Sequence, residues 1–529
     1  MRRAPAPVLA LLLIAAPVAA EPISAARIAA DVKTLASDGF AGRGPGEVGE
    51  AITTAWLAKQ FARIGLQPAG DNGGWLQKVP LTRLDRQNGA KVRLQLSDAS
   101  QSLLVGKDMT LAPRQAGRVK IEGAPLVVAG FGVVDAAGGW EPFAGVDMAG
   151  KVAVFLANDP DFEAGADLGF QGRRLVLAGR IGSKFAAAAR AGAVGALVIH
   201  EDAAASYPFA QVAGTDALPQ MLPEGTPATS LKFSGWLSGA MGAQLLAAAG
   251  LDLAQAKTLA RNPYFRARAL PGARLTAEFA ARATPVISHN VVGVLPGAAK
   301  PAETLLYGAH WDANGRTVPD AKGDPIRNGA IDNATGTAEL LEVARAFVAG
   351  PRPARSIVFA AWTAEEKGLL GSSFHAAHPA RPLAGTVAVI NLDPHVLLPA
   401  TRTLELIGGG RTSLEDDLAG VAKAMGLQLV PEPNPEAGWY FRSDHFPFAQ
   451  KGVPALAFRA GRDLQVGGEA AGNALIAPYN QRCYHQPCDE FRADMDFTGV
   501  AQEAEAAWRT GLLVANRADK PVWKGPPAF

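Results

Sequence analysis

Apolar residues at Ile28, Val32 and Leu35, and again at Ile52, Trp56, Leu57, Phe61 and Ile64, recur near helical spacing. Residues 24–66 therefore read as helical, in two stretches separated by the loop DGFAGRGPGEVG. Beyond Gln67 the pattern changes. KVRLQL, APLVVAGFGVV, KVAVFLAN and VGALVIH are short runs rich in Val and Leu, and they read as strands. One helix-like segment, SKFAAAARAGA, precedes VGALVIH, so residues 110–275 form a candidate separate β/α module. From about residue 285, NVVGVLPG, ETLLYGAHWD, SIVFAAWTAEE, GTVAVINLD and VPALAFRAG supply apolar strands. GTAELLEVARAFVAG and TSLEDDLAGVAKAMGL supply amphipathic helices between them. This alternation predicts an α/β class: a mixed, mostly parallel sheet flanked by helices. Such sheets carry their chemistry at the carboxyl ends of the strands.

At 529 residues the chain is too long for one ordinary domain. Its 51 Lys and Arg against 49 Asp and Glu leave a net charge of +2, which gives no basic field for nucleic acid. The opening MRRAPAPVLALLLIAAPVAA has a basic start, a short apolar run and a small-residue end, the pattern of an export leader over residues 1–20. No other segment is long and apolar enough for a transmembrane helix. Export makes a disulfide between Cys483 and Cys488 feasible, with two free thiols equally open. A structural zinc in CYHQPC would have three ligands, one short of the usual four.

The strand ends carry the candidate chemistry. LLYGA runs into His310, with Asp312 two residues on. NGAIDNATG places Asp332 before a helix. SIVFAAW leads to the adjacent Glu365 and Glu366, VAVINL leads to Asp393, and His485 follows in YHQPC. Singly, each has a plainer reading as a packed histidine, a helix N-cap or a solvated first turn. Together, two histidines and several carboxylates are ligands that Zn²⁺ accepts. Five ligands with one bridging suit a pair of ions. Adjacent side chains on an extended segment diverge, so one glutamate of the doublet is expected to bind metal while the other faces the water.

In order, GAHWD, NGAIDNATGTAELLEVARAF, FAAWTAEEKGLLGS, VINLD, SDHFPFAQKGVPAL and YHQPCDEF resemble the motifs of the M28 metallopeptidases, the co-catalytic zinc aminopeptidases and their relatives. The resemblance covers about residues 22–75 and 285–529. More loosely, GRIGSKFAAAARAGAVGALVIHED resembles the protease-associated (PA) domain that many members carry as an insertion. The implied organisation is a leader at 1–20, an N-terminal part of the peptidase domain at 22–109, a β-rich PA-like insert at 110–275 and the main zinc peptidase domain at 285–529.

The resemblance implies two zinc ions, one held by His310 and Asp393, the other by Glu366 and His485, with Asp332 bridging. It implies Glu365 as the general base, Asp312 as the partner orienting His310, and Tyr440 as a donor to the oxyanion. The implied function is an exported aminopeptidase acting on peptides, periplasmic or secreted. A carboxypeptidase or dipeptidase, and a glutaminyl cyclase, are alternatives on the same core, and a non-catalytic binding protein is a further one. Pro394 and His395 after NLD depart from the small-residue and glycine pattern, which bears on specificity. His375 and His378 read as helix-surface or cap groups, with metal binding as the alternative; His200 and His289 read as structural, His445 as structural or substrate-facing, and Arg173 and Arg174 as solvated, with a substrate-touching lid as the alternative. Oligomeric state is not legible.

Overall fold

The computed structural model describes residues 23–526 and 529, so the expected leader lies outside the described residues. Two helices, Ala25–Leu35 and Val48–Ile64, open the described chain on either side of the glycine-rich loop. Ser24 caps the first by accepting from the Arg27 amide.

Four strands, Arg355–Trp362, Lys300–His310, Thr386–Asn391 and Ala455–Ala460, lie side by side and parallel in that order. They are covered on both faces, which is why they read as unbroken apolar runs rather than alternating ones. Helices Ala25–Leu35, Gly336–Ala349, Leu414–Ala424 and Thr498–Asn516 pack one face, around Leu340, Val343 and Phe359. Helices Leu370–Ala377 and Phe446–Gln450 cover the other, around Trp362 and Phe448. Gly511 lets the last helix approach the sheet. A Cβ there would overlap the Tyr307 hydroxyl, which donates to the Ala507 carbonyl at 2.7 Å.

A single strand of 28 residues, Arg268–Leu295, joins the two halves of the molecule. Its first part pairs with Gly117–Val128 and Lys91–Leu96, its middle with Leu76–Arg86, and its end with Arg355–Trp362. The boundary expected between residues 275 and 285 thus falls inside one continuous strand. The preceding block has a four-stranded parallel sheet of its own, from Gly117–Val128, Val152–Leu156, Gly195–Ile199 and Phe233–Leu237. Separate apolar clusters lie on its two faces.

Two buried cations fix the scaffold. Arg43, fully buried, donates to the carbonyls of Trp311 at 2.7 Å, Leu35 at 2.8 Å, Asn328 at 2.6 Å and Gly329 at 2.8 Å. It ties the N-terminal loop to the end of the His310 strand and to the turn holding Asp332. Arg43→Ala would orphan these buried carbonyls at ~1–3 kcal/mol each. We expect a stability loss of about 4 kcal/mol or more, read from denaturant unfolding. A loss below about 1 kcal/mol would contradict this bracing role.

Lys184, also fully buried, donates to the carbonyls of Phe131 and Asn158. Burial pushes its pKa from 10.5 down to about 7. The unfolded chain keeps that proton up to pH 10.5 and the folded chain only to about 7. Between these values the unfolded state binds more protons, so stability rises with pH. We expect the midpoint of thermal unfolding to climb from pH 7 toward 9 relative to Lys184→Met, which should lack that part of the slope. Parallel pH profiles for the two proteins would refute it.

Candidate metal centre

The parallel register builds the site. His310 pairs with Trp362, and Gly308 with Asn391, so His310 and Asp393 end their strands at the same level. The Glu365–Glu366 doublet follows Trp362 on the neighbouring strand. It does not lie on extended backbone, as expected from the sequence. Ala364 adopts φ 53°, and the Gly368 amide donates to the Glu365 carbonyl at 2.8 Å, so the doublet sits on a tight turn.

Two groups of ligands converge. One is His310, Asp332 and Asp393; the other is Asp332, Glu366 and His485. Asp332 belongs to both. Its Oδ1 lies 3.3 Å from His310 Nε2, and its Oδ2 lies 3.1 Å from His485 Nε2. Glu366 Oε2 is 3.0 Å from His485 Nε2. His310 Nε2 and Asp393 Oδ1 are buried without a hydrogen-bond partner and 3.8 Å apart, as atoms facing a shared cation would be. Two imidazole nitrogens among crowded buried carboxylates make a donor set that fits zinc, and the shared aspartate fits two ions.

Supporting groups hold this set in place. His310 Nδ1 lies 3.0 Å from the Asp312 carbonyl and 3.6 Å from the Asp312 carboxylate, so the nearer partner is the backbone. The carboxylate instead accepts from the Glu365 amide at 3.1 Å, tying the doublet's turn to the His310 strand. Asp489 accepts from the amides of Ile331 at 2.9 Å and Asp332 at 3.1 Å, and from Tyr479 at 3.1 Å. Asp489 follows Cys488 in the quoted motif, yet nothing in the sequence marked its task. Cys483 and Cys488 form a disulfide that brackets His485.

Glu365 stands apart from both ligand groups. Its side chain is 11% exposed, and Oε2 lies 3.8 Å from His310 Nε2. Burial, then the carboxylates Asp444, Asp393 and Glu366, push its pKa well above the ordinary value, against the pull of His310. It lines a cavity of about 430 Å³ together with Asp332, Glu366, His395, Tyr484 and His485.

Tyr440 is not in that lining. It is buried in the apolar cluster beside Phe441 and Phe446, with the Arg411 guanidinium 4.3 Å from its ring centre. The 3₁₀ turn Trp439–Phe441 directs it there. Tyr484 lines the cavity, stacked on His485 with ring centres 3.8 Å apart, and its hydroxyl accepts from Arg442 at 2.9 Å. Arg442 and Arg180 also line this cavity, Arg180 from the block at residues 110–275.

The other histidines separate by environment. His395 reaches the cavity, 3.2 Å from Asp393 and against Trp439. His375 bonds Gln77 at 2.8 Å, His289 bonds Glu50 at 2.8 Å, and His378 stacks on Phe374. His200 lies among Tyr207, Phe209 and Trp236. Burial pushes His445 down to about 3, and its ring meets Tyr440. Arg173 pairs with Glu436, and Arg174 donates to the Gly409 carbonyl.

Residues 290–509 match the family model described as Peptidase family M28. Among curated relatives, the chain is 39% identical over 122 residues to "Aminopeptidase NAALADL1" of Mus musculus, covering 22% of this chain and 14% of that protein. It is 27% identical over 229 residues to "Leupeptin-inactivating enzyme 1" of Streptomyces exfoliatus, covering 41% and 46%. The chain thus spans less than half the length of either. The fold is shared with "Aminopeptidase from Aneurinibacillus sp. strain AM-1" at TM-score 0.57 and 19% identity, over 94% of this chain and 95% of that one. It is also shared with a zinc aminopeptidase from Bacillus subtilis at TM-score 0.51 and 18% identity, over 96% and 98%. The segment that matches the family M28 model, residues 290–509, holds all five converging ligands and Glu365.

Proposed function

We propose that this chain is an exported zinc aminopeptidase that hydrolyses the N-terminal residue from peptides. The observation carrying it is Asp332, which offers one oxygen to each of two ligand groups, with Glu365 outside both and facing the same cavity. His310 and Asp393 would hold one zinc, Glu366 and His485 the other, and Asp332 would bridge. When bound, the ions supply Lewis acidity for the scissile carbonyl and for the attacking water.

The chain's own groups do the rest. Glu365 takes the proton of the attacking water and returns it to the leaving amine. Burial keeps the Tyr484 hydroxyl protonated, and Arg442 occupies its oxygen, so its proton is free to donate to the developing oxyanion. Asp312 and Asp489 hold the two loops in position. The block 110–275 serves as a PA-like insert that contributes Arg180 to the cavity wall. The leader-like start supports export, and the disulfide suits an oxidising compartment. Among the described residues no helix is long and apolar enough to cross a membrane.

A second reading has its own support. Arg180 and Arg442 in the cavity suit a substrate carboxylate, which favours a carboxypeptidase or dipeptidase on the same centre. The test is metal content and a substrate panel measured together on the mature chain. Two zinc ions per chain and cleavage that requires a free α-amine support the aminopeptidase. Cleavage of N-blocked peptides that requires a free C-terminus selects the second reading. Zinc-loaded protein that cleaves neither class defeats both.

A further inference from the structure

A cavity of about 560 Å³ lies behind the metal centre and shares no lining residue with the cavity that holds Glu365. The two stand back to back across three short segments. Ile331, Val396 and Cys483 line this one, while their chain neighbours Asp332, His395 and Tyr484 line the other. The Cys483–Cys488 disulfide forms part of its wall, with Tyr479 and Asp489 beside it. Asp489 accepts from the Ile331 and Asp332 amides, so an occupant of this cavity leans on the turn that carries the shared ligand.

Ile331, Val396, Leu397, Leu475, Ile476 and Met495 give the wall its apolar surface. Leu475 is 49% exposed on the helix Gly468–Arg482, a large apolar side chain left open to an occupant. Tyr479 donates to Asp489 at 3.1 Å, so the polar groups next to the metal turn satisfy each other. The rim is polar and unevenly paired. Arg492 and Asp494 bond each other at 3.2 Å, and Asp496 takes its two bonds from Thr498 through Oδ1, leaving Oδ2 open. The exposed Arg482 guanidinium has no hydrogen-bond or ion-pair partner among the described residues. Pro478 lacks the N–H that would bond the Ala474 carbonyl four residues back, and both residues line the cavity. An apolar wall, an open guanidinium and oxygen acceptors at one rim complement an apolar side chain, a carboxylate and an ammonium group.

We propose that this cavity binds a free amino acid with a large apolar side chain, and that the occupant braces the metal turn from behind. Arg482 takes the α-carboxylate, Asp496 and the Ala474 carbonyl take the α-ammonium, and the side chain enters the apolar wall. The volume falls within the range of about 300–1,000 Å³ usual for small-molecule sites. The bracing runs through Ile331, Tyr479 and Asp489 to Asp332, so an occupied cavity slows the loss of metal from the centre. The site stands on its own lining and does not depend on the peptidase reading. Under that reading the ligand is of the class that the reaction releases, and the cavity is where product acts back on the centre.

Calorimetric titration of the zinc-loaded protein with L-leucine, glycine and 4-methylpentanoate reads binding without turnover. Leucine should bind about tenfold or more tighter than glycine, which lacks the side chain. It should bind about threefold or more tighter than 4-methylpentanoate, which lacks the ammonium group. Arg482→Gln and Leu475→Asp change residues that do not line the metal cavity. Each should weaken leucine by about tenfold or more, with zinc content and unfolding curves matching the wild type, and either carries the test if the other disturbs folding. Saturating leucine should slow release of zinc to a chelator by about fivefold or more in the wild type, and should lose that effect in both variants. No leucine binding, or binding that both variants leave unchanged, would overturn the site. Equal binding of 4-methylpentanoate would overturn the amino-acid assignment, and zinc release indifferent to leucine would overturn the bracing. A wild type that binds leucine in this way yet cleaves no peptide would strike the peptidase reading and leave the site standing.

Discussion

Glu365→Gln should lower kcat by about 10²–10⁴ while metal content stays at the wild-type level, since positioned general acid–base groups contribute on that scale. The amide keeps the size and shape of the side chain but accepts no proton at neutral pH. Glu365 joins neither ligand group, so its carboxylate is free for proton transfer. Its neighbour supplies the contrast. Glu366 Oε2 is 3.0 Å from His485 Nε2 within the second group, and Glu366→Gln should cost metal as well as turnover. Measuring zinc and single-turnover rate on both variants separates the roles. Loss of metal in Glu365→Gln would make Glu365 a ligand. Unchanged kcat would move the base elsewhere, with buried Asp444, whose pKa burial raises to about 7, next in line.

The sequence exposed this site because buried parallel strands are unbroken apolar runs, and the residues that end them stand out. His310, Glu365, Glu366 and Asp393 are legible in that way. The pairing register then brings together what the chain order keeps apart. Tertiary path was not legible. Tyr440 and Tyr484 are both tyrosines near a histidine, and a 3₁₀ turn beneath Arg411 decides which one is withdrawn into the core. Asp489 acts through backbone amides of a distant turn, a task that leaves no mark on spacing. Arg180 lines the cavity from the block at residues 110–275, far away in sequence. The long strand was hidden by Pro271 and Pro285, since proline argues against a strand interior. The register shift between Ala269 and Arg274 accommodates the first as a bulge.

The shared aspartate should be the most damaging position to lose. Asp332→Ala removes a ligand from both groups in one change, whereas Asp393→Ala or His485→Ala removes one from a single group. We expect Asp332→Ala to bind less than one zinc per chain at concentrations that saturate the wild type, and to lose turnover beyond assay range. Asp489→Ala is the informative companion. Its carboxylate touches the Ile331 and Asp332 amides, and Asp489 is not among the ligand groups. Loss of such an outer partner typically costs 10–100-fold in metal affinity, a deficit that excess metal offsets. Titration with zinc should therefore restore activity to Asp489→Ala and leave Asp332→Ala inactive. If both recover alike, Asp332 is one ligand among several and the two groups do not depend on a bridge. If neither recovers while zinc content reaches the wild-type value, the turn at residues 330–335 has shifted, and the fault lies in how Glu365 and the substrate carbonyl are aligned.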